Sequence, residues 1–328
     1  MHMLVFGMLL QTGTAGIARE EMLVSQRPPG EGPTRIEVTF YMIDLMKVID
    51  ADETFEADIF FIALWKDSRL TGEHERKLSV SEVWTPNILV FNKRNISLDL
   101  PNVVSVAPDG TVVYRQRLSG TYASQLDLHR FPLDSQTLQV QLVSYGTDID
   151  EVVLVEAPAF PATLNPHLSI RDWKVGGLKM TADSFEPIPG GQELSRLTFH
   201  VEVERLRRYY MIQMLIPLIL IVAMSWIPFW IEPEVIPTRI GTCVTTVLTL
   251  IAYRFMFGSL VPKLPYLTLL DYLLFGATVL VALSLITLAL ESKLVKKYPQ
   301  TVKKIDRIAR FAHPAFFLFL MVGIYLYW

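Results

Sequence analysis

Residues 238–260 read TRIGTCVTTVLTLIAYRFMFGSL. A helix needs about 20 residues to cross the hydrocarbon core, so this stretch is long enough, yet it is not apolar all round. Arg239 and Arg254 interrupt it, and Gly241, Thr242, Cys243, Thr245, Thr246 and Thr249 make its first half small and hydroxyl-rich. Gly241, Thr245, Leu248, Ala252, Phe255 and Ser259 are spaced alternately by four and three residues, which keeps them on one helical face. Along the chain that face is small and polar, then apolar, then polar at Ser259. Copies of it around an axis would make a wettable channel with hydrophobic rings at Leu248 and Phe255, and such rings gate by dewetting. Small residues and threonines also serve packing between membrane helices, so the face alone leaves pore and helix seam both open.

Outward from this stretch, the C-terminal part of the chain reads as four spans, about 209–231, 238–260, 266–290 and 308–328. The segment 291–307 reads as a basic loop, with Lys293, Lys296, Lys297, Lys303, Lys304 and Arg307, and Arg310 just beyond. The positive-inside rule puts that loop in the cytoplasm and the N-terminal domain on the outer side, which is the periplasm for a cell inner membrane. Residues 1–207 carry 28 acidic and 19 basic side chains, a balance of −9, and residues 208–328 carry 5 and 11, a balance of +6. The one cysteine, Cys243, lies in the second span, so the outer domain, 19–207, is held by its core rather than by a disulfide. Residues 1–18 contain the apolar run Met3–Leu10 and end in small residues, without basic residues at the start, and read as a signal or an N-terminal segment.

Residues 34–207 alternate apolar and polar side chains, as at Ile36, Val38, Phe40 and at Phe55, Ala57, Ile59, Phe61. Val112–Arg117, Leu138–Leu142, Val152–Val155 and Leu197–Val203 continue the pattern, with turn signals at Pro108-Asp109-Gly110, Gly176-Gly177 and Pro189-Gly190-Gly191. The expectation is an all-β, antiparallel, immunoglobulin-like sandwich joined directly to an all-α four-helix membrane domain.

Several pieces, in order, resemble the pentameric ligand-gated ion channels, the Cys-loop receptor superfamily, and especially its bacterial members. Trp65-Lys66-Asp67-Ser68-Arg69-Leu70 looks like the family's W-x-D-x-R-L, and Trp84-Thr85-Pro86-Asn87 with Phe91-Asn92 resembles the segment called loop A. Phe131-Pro132-Leu133-Asp134 is similar to the F-P-F-D of the Cys loop, with Ser124 and Leu138 where animal receptors carry cysteines. Pro217, the run Ser225-Trp226-Ile227-Pro228-Phe229-Trp230, and Leu260-Val261-Pro262-Lys263-Leu264-Pro265-Tyr266 also fit.

The resemblance implies a homopentamer of identical subunits whose second span lines the pore at the face given above. It implies coupling residues Asp50, Asp134 and Arg205, with Pro262, Lys263 and Pro265 as the segment they push. It places agonist-site aromatics at Phe60, Phe91, Tyr145 and Phe185, whose π-faces suit a small amine. Protons are the other candidate agonist, because His74, His129, His167 and His200 lie in the outer domain and imidazoles titrate near neutrality. For charge selectivity the candidates are Glu232, Glu234 and Arg239. Pro237-Thr238-Arg239 resembles the inner mouth of anion-selective receptors, whereas the acidic outer domain and the two glutamates favour cations. The expectation is a channel for monovalent cations, with an anion channel or a non-conducting membrane-tethered receptor as alternatives. No cofactor, metal or nucleic-acid partner is expected, and lipid is. The chain has no Gly-rich phosphate loop, no metal-spaced His/Cys set and no nucleophile elbow that would point to an enzyme.

Overall fold

The computed structural model describes residues 24–258 and 264–327. The segment 1–18 and Ser259, Pro262 and Lys263 therefore lie outside the described residues. The outer domain forms two sheets. The larger contains β1 (Thr34–Ile49), β2 (Thr54–Lys66), β3 (Arg76–Ser79), β5 (Lys93–Leu98), β6 (Val103–Val106), β7 (Thr111–Ala123), β9 (Val152–Glu156) and β10 (Thr163–Leu164). The smaller runs β11 (Trp173–Phe185), β12 (Leu194–Arg205), β8 (Ser135–Ser144), β4 (Ile88–Val90).

Alternation produces the sandwich. Phe55, Ala57, Ile59, Phe61, Ala63 and Trp65 of β2 are all buried, because side chains two apart share a sheet face. Leu197, Phe199, Val201 and Val203 of β12 meet them from the other sheet. Phe40 and Phe199 stack between the layers with centroids 3.7 Å apart. Pairing is not wholly antiparallel, since β9 and β10 both lie parallel to β1. Gly176-Gly177 is not a turn: it lies inside β11, where the register with β12 shifts between Val175 and Leu178, a bulge that glycine accommodates. Asp67, buried, accepts the Arg69 backbone N–H and pairs with its guanidinium at 2.8 Å, which accounts for the W-x-D-x-R-L piece as a structural clamp.

The membrane domain opens with α1, comprising Arg207–Tyr210, a π turn at Met211–Leu215 and Ile216–Met224, then a 3₁₀ turn at Ile227–Trp230. The helices α2 (Ile236–Gly258), α3 (Leu269–Leu294) and α4 (Pro299–Tyr327) follow. Among the described residues, Met211–Trp230, Ile236–Gly258 and Leu269–Leu294 are long and apolar enough to cross a membrane. The fourth helix carries Lys303, Lys304, Asp306, Arg307 and Arg310 in its first half and becomes apolar from Phe311. The basic stretch 291–307 is mostly helix rather than loop: α3 ends at Leu294 and α4 begins at Pro299. Pro suits the first helical position, and charged side chains at membrane-helix ends reach the polar interface.

Candidate functional site

Helix α2 has two opposite faces. Arg239, Cys243, Thr246, Leu250, Tyr253 and Phe257 are buried against the rest of the chain. Their spacing repeats the four-three comb two residues out of step with Gly241, Thr245, Leu248, Ala252 and Phe255, about 200° around the helix. All five of the latter are exposed, Leu248 at 62% and Phe255 at 78%. A Cβ at Gly241 would meet nothing within 4 Å. The threonine face is therefore not the seam by which α2 packs within its own subunit. Thr245 and Thr249 donate their hydroxyls to the carbonyls of Gly241 and Thr245, at 2.9 and 2.8 Å, which leaves oxygen lone pairs turned outward.

At the inner end, Arg239 is withdrawn from solvent. It is 3% exposed, donates to Pro228 O at 2.9 Å, lies 3.0 Å from Glu291 and pairs with Asp306. Arg239, a candidate for charge selectivity, is thus committed to an ion cluster between α2, α3 and α4. Glu232 and Glu234 remain exposed, with Lys303 3.9 Å from Glu234.

The junction between domains is built on Arg205, whose side chain is fully buried. Its guanidinium reaches Asp50 at 2.7 and 2.8 Å and Asp134 at 2.8 and 3.1 Å. The rings of Trp173, Phe131 and Tyr210 pack around it, 4.1, 4.8 and 5.2 Å from its central carbon. Sequence reasoning named the three charged groups and missed this aromatic cage. Burial by itself would lower the Arg205 pKa, but the two carboxylates outweigh it and raise it further. Burial pushes the Asp50 carboxyl above its ordinary range, against the pull of Arg205. The Asp50 turn, the β7–β8 loop and the end of β12 are thereby tied at the mouth of α1. Pro265 is exposed, and among the described residues of this segment Tyr266 reaches the outer domain, stacking on His129.

Of the four aromatics, Phe91 and Phe185 meet edge to face at 4.6 Å. Tyr145 follows β8 in the same sheet and is 59% exposed. Arg196, which the sequence reading missed, lies 4.6 Å over the Phe185 ring and forks to Asp183. Phe60 is on the other sheet, in β2 across from Tyr41 and Arg117, and does not join this cluster within one subunit. His200 hydrogen-bonds Thr181 at 2.8 Å, and burial, with Lys179 nearby, lowers its pKa.

Residues 22–226 match the neurotransmitter-gated ion-channel ligand binding domain, and residues 214–303 the neurotransmitter-gated ion-channel transmembrane region. A proton-gated ion channel of Gloeobacter violaceus is 27% identical over 305 residues, which are 90% of this chain and 84% of the relative. The gamma-aminobutyric acid receptor subunit beta-4 of Gallus gallus is 26% identical over 79% of this chain and 55% of its own length. The glycine receptor subunit beta-type 4 of Caenorhabditis elegans is 29% identical over 66% of this chain and 48% of its own length. The chain thus spans about half the length of these animal subunits and most of the bacterial channel.

Proposed function

The chain belongs to the neurotransmitter-gated ion-channel family, and from that membership we propose that it is one subunit of a homopentamer conducting monovalent cations through an inner membrane. In this reading α2 lines the pore, α4 makes the fourth crossing, and a small amine or protons act on the outer domain.

The observation that carries the proposal is the two-faced α2. Its buried comb is used up inside the subunit, so the threonine-bearing comb is available for water. Leu248 and Phe255 then form two hydrophobic constrictions. Three features favour cations over anions: the balance of −9 in the outer domain, exposed Glu232 and Glu234 before the pore, and threonine oxygens presented as acceptors. Arg239, the group that argues for anions, is buried and paired with Glu291 and Asp306.

For the agonist, Phe185 already holds a guanidinium on its ring. Phe91 and Tyr145 are left with the accessible π-faces, to which Phe60 would be added from the neighbouring sandwich. Reversal potentials in a NaCl gradient test the selectivity: a shift toward the sodium potential is expected, and a shift toward the chloride potential overturns the choice of cation.

A further inference from the structure

The β7–β8 loop meets the segment between α2 and α3 through two flat rings. The His129 imidazole lies over the Tyr266 phenol with centroids 3.7 Å apart and planes 7° from parallel. At the edge of the imidazole, Nδ1 is 2.6 Å from Asp127 Oδ1. Two backbone contacts fix the geometry. The Leu269 N–H, in the first turn of α3, donates to the His129 carbonyl at 2.9 Å, and the Leu128 N–H donates to the Tyr266 hydroxyl at 3.3 Å.

This contact is wired to the Arg205 knot. The Gln136 amide nitrogen donates to the Asp127 carbonyl at 2.7 Å and to the Asp134 carboxylate at 2.6 Å, while its oxygen accepts the Asp127 N–H at 2.9 Å. Asp134 grips Arg205, and Arg205 grips Asp50. A continuous polar chain thus runs from the imidazole to the turn between β1 and β2, and such a chain gives a physical route for coupling.

We propose that His129 is a proton-operated latch between the sensing domain and the pore helices. Charged, it forms an ion pair with Asp127 and a cation on the face of Tyr266. Neutral, it keeps the stack and the hydrogen bond but loses the ion pair. Histidine as a class changes charge between about pH 5 and 8. The hydrogen bonds from His129 hold the Asp127 carboxyl below its usual range, so Asp127 stays ionised across that window. Other charged groups around the contact include Arg130 on the same loop, and Arg254 and Asp271, which line the adjoining cavity with Tyr266. Acid therefore tightens the grip of the outer domain on the start of α3. Gating control by this latch rests on the channel reading; the latch itself does not.

Two measurements separate these. Hydrogen exchange on the full chain, corrected for intrinsic rates, follows the peptide 264–272 near pH 5.5 and pH 7.5. In the parent, protection is expected to be about two- to fivefold greater at the acid value, the size of an exposed cation–π contact. In His129→Gln and in Tyr266→Leu the difference is expected to vanish. Equal protection at both pH values in the parent, or a difference that survives in His129→Gln, overturns the latch. Membrane currents across the same pH range read its consequence, with a flattened curve expected for His129→Gln. No current from the parent would bring down the channel reading alone, since exchange reads the latch without it.

Discussion

Arg205 and Asp50, 155 residues apart in the chain, meet through two hydrogen bonds of 2.7 and 2.8 Å at the junction of the two domains. A buried guanidinium loses several kcal/mol of hydration and is stable only while its partners stay. Removing one partner of such a group costs about 3–5 kcal/mol. Arg205→Ala is expected to reduce assembly sharply, read as surface protein. Asp50→Asn keeps the hydrogen-bonding shape and is expected to assemble while responding weakly to agonist. Wild-type responses from Asp50→Asn would show that the pair is structural only.

Leu248→Ala removes roughly three carbon groups from each subunit of the proposed homopentamer, at about 0.8 kcal/mol for each fully buried group. Partial loss of this hydrophobic ring is expected to move activation to at least about tenfold lower agonist or to open the channel at rest. An unchanged activation curve would assign the gate to another ring, with Phe255 next in line.

Arg239→Ala and Glu232→Ala are expected to behave differently. The first leaves Glu291 and Asp306 buried without their cation, at a cost of about 3–5 kcal/mol, and expression should fall. The second removes an exposed charge, so expression should hold while cation conductance drops. Normal expression of Arg239→Ala with altered selectivity would contradict the buried cluster.

Tyr145→Ala and Phe91→Ala each remove an exposed ring from the proposed agonist site. Both are expected to weaken the response to a cationic amine by about two- to thirtyfold, the range of a cation–π contact, while leaving assembly intact. Equal potency in both variants would move the agonist site elsewhere.

The Arg117 pair holds the Asp58 carboxyl below its ordinary range. A depressed carboxylate contributes stability above its unfolded pKa, about 3.9, and that stability is lost as pH falls through the folded value. Asp58→Asn is therefore expected to lower the melting temperature by the same amount at about pH 5 and pH 8. A deficit that shrinks between those two values would mean that the ion pair is already titrating there.

Much of this was legible in the residues, for geometric reasons. Alternation along β2 and the four-three comb on α2 are consequences of strand and helix periods, and both are seen in the structure. Contacts between distant segments were not. Nothing local announces that Trp173 and Tyr210 close around Arg205, or that Tyr266 stacks on His129. The partners of Arg239 carried a weak signal, since Glu291 and Asp306 are acids beside long apolar runs, where an ionisable group needs a partner. The basic stretch misled because lysines and arginines suit helix ends as well as loops. Gly176-Gly177 misled because a glycine pair marks a bulge as readily as a turn.

Single cysteines at Thr245 and Leu248, placed in a Cys243→Ser background and treated with a water-borne thiol reagent while current is recorded, test the account most directly. Both are expected to react and block the current, while Thr246→Cys and Leu250→Cys, on the buried face, stay silent. If Thr245→Cys and Leu248→Cys are inert in every gating condition while the buried positions react, α2 is turned the other way and does not line a pore with this face.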